Sequence, residues 1–320
     1  MKGFDPRWKT PEDYILGITR EIWEDRGIAT LDHYYGADIL VRSPAGIVEG
    51  NGNVVAATMA TLHEFPDRVL LGEDVIWSEA GDGFLSSHRL LSTATHAADG
   101  AYGKATGTRL KYRIIADCHA RANVIDDEWI IRDQGAIVRQ LGETPEDWAR
   151  RRLAADPEAI RPFTPAADRA GPYRGTGNES EWGAAYADLL TRIMGADLAA
   201  IPGGYDRAAV LELPGGVTAH SHTGADAFWM GLRAAFPSAR FEIQHRIGRD
   251  DPMMPPRAAL RWSLTGRHDG WGAFGPPTGA EVHVMAMSHA EFGPWGLRRE
   301  WVLFDETAIW AQILRHTGSA

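Results

Sequence analysis

The hydrophobic rhythm of this chain changes at Arg68 and changes again, in the same way, near Ala239. Before Arg68 the apolar positions recur at helical spacing. Thr10-Pro11-Glu12-Asp13 predicts a helix start: a capping hydroxyl, proline at the first position and acids in the first turn. Tyr14, Ile15, Ile18, Ile22 and Trp23 then share one helical face as far as Gly27. A short helix is expected over 28–35, a hairpin over 39–49 around Pro44-Ala45-Gly46, and a third helix over 54–64 closed by Phe65-Pro66-Asp67. From Arg68 the period is two, which predicts strands near 69–79, 84–96, 106–120 and 124–133. Residues 144–155 return to helical spacing, and 156–177, with four prolines and three glycines, reads as a linker.

The order then repeats. A helix over 179–194, a short helix near 197–205 and a hairpin around Pro214-Gly215-Gly216 lead to a helix over 225–235 that ends at Phe236-Pro237. Strands are expected near 239–248, 257–268, 279–292 and 297–306. Residues 89–140 and 261–312 align without a gap and share fourteen of 52 positions, among them His96/His268, Gly103/Gly275, Glu128-Trp129/Glu300-Trp301 and Asp133/Asp305. This is an internal duplication. It divides the chain into a first domain at 1–143, a connecting helix and linker at 144–177, and a second domain at 178–320. Helices followed by a long antiparallel meander define an α+β plan with helices on one face of a curved sheet.

Composition narrows the partners. A net charge of −10 disfavours tracking of nucleic-acid phosphates, and the one basic cluster, Arg150-Arg151-Arg152, belongs on a solvated helix face. No apolar run reaches membrane length, and the N-terminus lacks a signal-type apolar segment. With the single Cys118, read as a small buried hydrophobe, this predicts a cytoplasmic protein. Neither a G-x-G-x-x-G nor a P-loop pattern occurs, so no nucleotide cofactor is expected. His220, His222 and His245 lack a further ligand at suitable spacing, so no metal is expected either. The twelve tryptophans point to aromatic-lined interiors or a sizeable interface.

Helices, a hairpin, the Phe-Pro-Asp turn, GRHDGWGAFGPPTGAEVHVM in the second copy and EWIIRDQGAIVRQLG in the first together resemble the SnoaL-like polyketide cyclases of the nuclear transport factor 2-like superfamily. The resemblance implies two tandem cone-shaped α+β barrels, each with three helices packed on a curved, mostly antiparallel sheet. It also implies cofactor-free general acid/base chemistry on an apolar carbonyl compound, with a small apolar or aromatic substrate. In that family an acidic residue before the tryptophan acts as acid/base and a histidine on the neighbouring strand polarises the substrate. These positions fall on Glu300 and His283, and on Glu128 in the first copy, where Lys111 replaces the histidine.

Strand parity extends the expected site. His283, Met285, Met287, His289 and Glu291 share one face of their strand, and Arg298 and Glu300 share one face of the next. Taken as one surface they form a largely apolar pocket with a few polar groups. The first copy offers Lys111, Arg113, Asp117 and His119, with Asp126 beside Glu128, and His33 and Tyr34 at a helix end fit pocket lining or core packing. Asp133 and Asp305 are expected to cap turns, and His96 and His268 to brace hairpins. The competing class is a non-catalytic binding or assembly protein. In it the outward Trp129 and Trp301 suit an intrachain pseudo-dimer and a further homodimer.

Overall fold

The computed structural model describes residues 1–319. In the first half, α1 (Pro11–Thr19), α2 (Leu31–Tyr34), β1 (Tyr35–Ser43), β2 (Gly46–Glu49) and α3 (Asn51–Glu64) precede the meander β3 (Val69–Ala80), β4 (Gly83–Thr95), β5 (Arg109–Arg121) and β6 (Val124–Arg132). Two helices follow, α4 (Gln134–Gln140) and α5 (Pro145–Ala155). The second half runs α6 (Glu181–Met194), α7 (Ile201–Gly204), β7 (Tyr205–Leu213), β8 (Val217–His220), α8 (Ser221–Ala235), β9 (Arg240–Arg249), β10 (Arg257–Arg267), β11 (Glu281–Gly293), β12 (Gly296–Phe304) and α9 (Glu306–Thr317). Thr10 caps α1 by accepting from the Asp13 amide, as the sequence predicts. The parity-based strands fall within a few residues of the observed ones. α4 and α9 were not anticipated, because their apolar residues continue directly from the preceding strands.

Each half forms one six-stranded mixed sheet, with orders β2-β1-β6-β5-β4-β3 and β8-β7-β12-β11-β10-β9. β1 runs parallel to β6, and β7 to β12; every other pairing is antiparallel. Each half is thus the expected α+β unit, helices on a curved, mostly antiparallel sheet, with the sheet left open at β2 and β3 and at β8 and β9. The inner face of the second sheet is covered by that half's own helices, and the core of the first half takes in α9 besides its own.

The outer faces pack on one another. Ile115 and Ile131 of the first sheet meet Met285, Met287 and Leu303 of the second, with Phe163 of the linker between them. Charged groups cross this contact in pairs: Arg261 to Asp117 at 2.9 Å and Arg113 to Glu212 at 2.9 Å. Arg257 likewise pairs with Asp74. The Arg261 guanidinium lies 3.7 Å from the Trp129 ring centre and that of Arg89 lies 3.5 Å from Trp301, so both tryptophans are stacked between the sheets.

The helix caps bind the halves further. Asp133 caps α4 through the Ala136 amide and also accepts from the Gly215 and Gly216 amides of the β7–β8 turn. Both glycines adopt positive φ, which turns their N–H groups towards the carboxylate. Asp305 caps α9 through the Thr307 and Ala308 amides, and Ala311 and Leu314 of that helix enter the core of the first half. No helix among the described residues is long and apolar enough to cross a membrane.

Candidate active site

Strand register decides which side chains share the inner face of the first half. Glu128 on β6 lies across from Cys118 on β5 and Val41 on β1, and Cys118 lies across from Ser86 on β4. One step along the same face come Ile130, Ala116 and His88; one step further come Arg132, Ile114 and Leu90. With Ile15 and Ile18 from α1, Thr58 and Thr61 from α3, and Tyr35 and Arg68, all of these residues except Ser86 line a cavity of about 250 Å³. Its walls are mostly aliphatic and its few polar groups converge from different strands, the composition of a small-molecule site. A second cavity of about 330 Å³, lined by Tyr102, Trp148 and Arg152, adjoins the first and shares Arg132, Gln134 and Asp305 with it.

Desolvation sets the chemistry of this chamber. Glu128 is buried, and burial raises its pKa to about 7 against hydrogen bonds from the Tyr35 hydroxyl and Cys118 thiol, which pull it down. Burial, with Glu128 as neighbour, raises Tyr35 and Cys118 well above their usual values, so both stay protonated as donors. Burial lowers His88 to about 4, which keeps its imidazole neutral, and Ser86 Oγ lies 3.3 Å from its Nδ1. A carboxyl poised near neutrality and a neutral imidazole, lining one apolar chamber from β6 and β4, can exchange protons with a ligand bound between them.

The second half has the same scaffold and the opposite interior. Glu300 is wholly buried and accepts from the Tyr186 and Tyr205 hydroxyls at 2.8 Å each, while Trp229 Nε1 donates to the Tyr205 hydroxyl at 2.9 Å. Around this cluster Trp229, Trp262, Phe236 and Phe304 pack into one continuous core. Burial raises Glu300 to about 7, but both carboxylate oxygens are occupied by protein donors.

The site expected around Glu300 is therefore not assembled. Glu300 pairs with Ala290 on β11, so its face carries Ala290, Ser288 and Ala286, while His283, Met285, Met287, His289 and Glu291 project from the opposite, outer face. Assigning the two strands to one surface without their register placed them one residue out of phase. Met285 and Met287 belong to the core between the sheets, and His283 bonds Thr265 at 2.8 Å. His289 is buried between Ser87 and Arg89 of the first half, at 2.9 and 3.0 Å. Glu291 lies on the outer face near Arg299, and Arg298 is exposed, donating to the Ala208 carbonyl.

The same correction applies to the first copy. Arg113 and Asp117 pair across the sheets with Glu212 and Arg261, His119 bonds Asp126 at 2.5 Å away from Glu128, and Lys111 is exposed. His33 is also exposed, and Tyr34 bonds Glu21 at 2.9 Å outside the chamber; the lining residue is their neighbour Tyr35. His220 ends β8, His222 lies in α8 after Ser221 at positive φ, and His245 bonds Tyr173 between the sheets, so the three imidazoles do not meet. His88, Arg68 and Arg132 were missed. Continuing the parity from Glu128 through Arg132, and from Cys118 across to β4, would have found His88 and Arg132.

The capping and hairpin roles match the geometry. His96 and His268 bond Thr106 and Thr278 at 3.1 and 3.0 Å. Residues 185–300 match the family described as the SnoaL-like domain. Among solved structures, the putative polyketide cyclase IdmH from Streptomyces antibioticus is 21% identical over 42% of this chain and 99% of its own, with a TM-score of 0.37. The putative hydroxylase AclR from Streptomyces galilaeus is 18% identical over 41% of this chain and 94% of its own, with a TM-score of 0.36. A SnoaL-like polyketide cyclase from Agrobacterium tumefaciens is 18% identical over 42% and 100%, also at 0.36. No curated protein matches the chain.

Proposed function

We propose, from the premise that residues 185–300 form a SnoaL-like domain and that the first half repeats its strand order, that this chain is a cofactor-independent acid/base enzyme working in its first half. The substrate class is a small, largely apolar carbonyl compound, taken up in the chamber of about 250 Å³. Glu128 removes a proton from carbon next to the carbonyl and returns it elsewhere on the ligand, which accounts for isomerase or cyclase chemistry. His88, neutral, offers an N–H to the carbonyl oxygen as negative charge develops there. Tyr35 and Cys118 hold the carboxyl in place. The observation that carries this reading is a buried carboxyl, raised to about 7, on the wall of an apolar cavity.

The second half acts as scaffold, favoured by its filled interior and its doubly bonded Glu300. The test is a panel of aryl ketones and lactones screened for binding and turnover, followed by Glu128→Gln. General acid/base groups contribute roughly 10²- to 10⁴-fold, so the variant should lose at least about 100-fold in kcat while ligand affinity stays within a few-fold. Because the base must be ionised, kcat/KM should rise as pH climbs through about 7. Turnover that survives Glu128→Gln overturns the proposal, and turnover lost equally with Glu300→Gln removes the division of labour.

A further inference from the structure

We infer that the chamber carries an anion subsite, in which Arg68 and Arg132 hold the carboxylate-type head group of an otherwise apolar ligand. The inference rests on the reading of this cavity as a ligand site and names one further feature of what it binds. Arg68 is 6 % exposed, and its Nε and that of Arg132 are buried without a hydrogen-bond partner. Among the described residues, neither guanidinium has a carboxylate within salt-bridge distance, although the chain holds 43 acids to 33 bases. Arg132 as a whole is half-buried, but its Nε is not reached by water, and buried guanidinium nitrogens are ordinarily hydrogen-bonded because an unpaired buried polar group is costly. Two such groups line the same cavity, and they repel each other.

The nearby groups offset them only in part: burial lowers Arg132, but Tyr112, Tyr102 and Asp305 outweigh it and favour its charged form, while Arg68 stays below its usual range. Burial raises the Tyr112 phenol, but Arg68 and Arg132 outweigh that effect and bring it below its usual range; one phenolate would still leave a positive charge on the pair. Burial raises Asp305 to about 7, and its Oδ1 already accepts from Thr307 and Ala308. The pair also belongs to the hollow half alone. Leu70 pairs with Ser92, and Phe241 with Leu264, the counterpart of Ser92; Arg68 thus corresponds to Ala239, as Arg132 does to Phe304. On one face of β6, Glu128, Ile130 and Arg132 follow in order, with about 13 Å between the outer two Cα positions at ordinary strand rise. An apolar body lying along Ile130, Leu90 and Ile114 would present its reactive end to Glu128 and its anionic end to the arginines.

The probes are 4-phenylbutanoate and its neutral isostere 4-phenylbutanamide, titrated calorimetrically into the full chain at pH 7. Charge-assisted bonds to a guanidinium pair should favour the acid by roughly 10- to 100-fold. Arg68→Ala and Arg132→Phe, each installing the second-half residue, should bring acid and amide within about threefold while leaving the amide bound and the melting temperature no lower. Equal affinity of the wild type for the two probes, binding of neither, or a preference that survives both substitutions overturns the subsite. The catalytic reading fails separately. If Glu128→Gln leaves turnover intact while the acid preference stands, the subsite holds and the proposed base does not.

Discussion

The two halves of this chain share a strand order, a glutamate before a tryptophan and an aspartate cap, yet one interior is hollow and the other solid. The difference comes from a few inward positions. Trp262 of β10 corresponds to Leu90, Phe304 to Arg132, Phe241 to Leu70 and Trp229 of α8 to Thr58 of α3. Each exchange removes bulk or adds polarity on the first-half side. The glutamates diverge with their surroundings. Tyr186 donates to Glu300, whereas its counterpart Tyr14 donates to the Asn123 carbonyl at 3.0 Å and leaves Glu128 with one phenol fewer. Close packing stabilises the solid half, and the hollow half gives up some of that packing for its cavity. A buried carboxyl with a raised pKa is common to both and so does not by itself mark a site. What sets the first half apart is the space beside Glu128.

The comparison is broken most severely by hollowing the solid half. Trp262 is wholly buried and its Nε1 donates to Ser288 Oγ at 3.1 Å. Trp262→Ala should cost about 3–5 kcal/mol, read as a lower urea midpoint, and create no ligand site because Glu300 stays occupied by two phenols. A cost below about 1 kcal/mol would show that this interior is not close-packed. The converse substitution fills the hollow half. Leu90→Trp should remove ligand binding by at least about 100-fold, roughly 3 kcal/mol, with little loss of stability, since the new ring occupies existing space. Unchanged affinity would place the ligand elsewhere.

A smaller effect sharpens the electrostatic side. Glu300 has a folded-state pKa of about 7, above its unfolded value, with burial as the main cause. The stability it contributes is therefore full below the unfolded value and is lost as pH rises through about 7. Glu300→Gln should remove that loss, so between pH 5 and 8 the variant should decline by about 2 kcal/mol less than the wild type, measured by urea titration at each pH. Parallel pH profiles for the two proteins would sink this account.

The fold was legible because its signals are local. Period-two runs, the Thr10-Pro11 helix start and the repeated glycine turns act within a few residues, and duplication doubled the strand runs and the glycine turns. The glutamate-tryptophan pair was legible in the same way. The site was not, because parity within a strand says which residues share a face but not which face meets a neighbouring strand's glutamate. That is a property of register, fixed by the turn between β11 and β12 and by the bulge at Glu291/Phe292. Nor does alternation reveal that an outer face is buried against a second sheet. His289 and Met287 therefore read as pocket residues when they pack between the sheets. Whether an interior is hollow depends on Trp262 against Leu90 and three similar exchanges, a sum of volumes over distant elements.

The smallest expected effect is the most discriminating for that lesson. His283 occupies the position that the family resemblance assigns to a substrate-polarising histidine, and its ring nitrogen bonds Thr265 on the outer face. Burial lowers its pKa to about 4, so it is neutral at pH 7 and carries no charge whose loss would disturb Asp or Glu neighbours. Its removal forfeits one neutral hydrogen bond and part of the packing against Phe163 of the linker, where the rings lie 5.7 Å apart. His283→Ala should therefore cost about 1 kcal/mol of stability and change neither ligand affinity nor turnover. His88→Ala, on the inner face of the other half, should lower turnover at unchanged fold. A loss of turnover with His283→Ala, in protein that melts as the wild type does, would return the working site to the solid half.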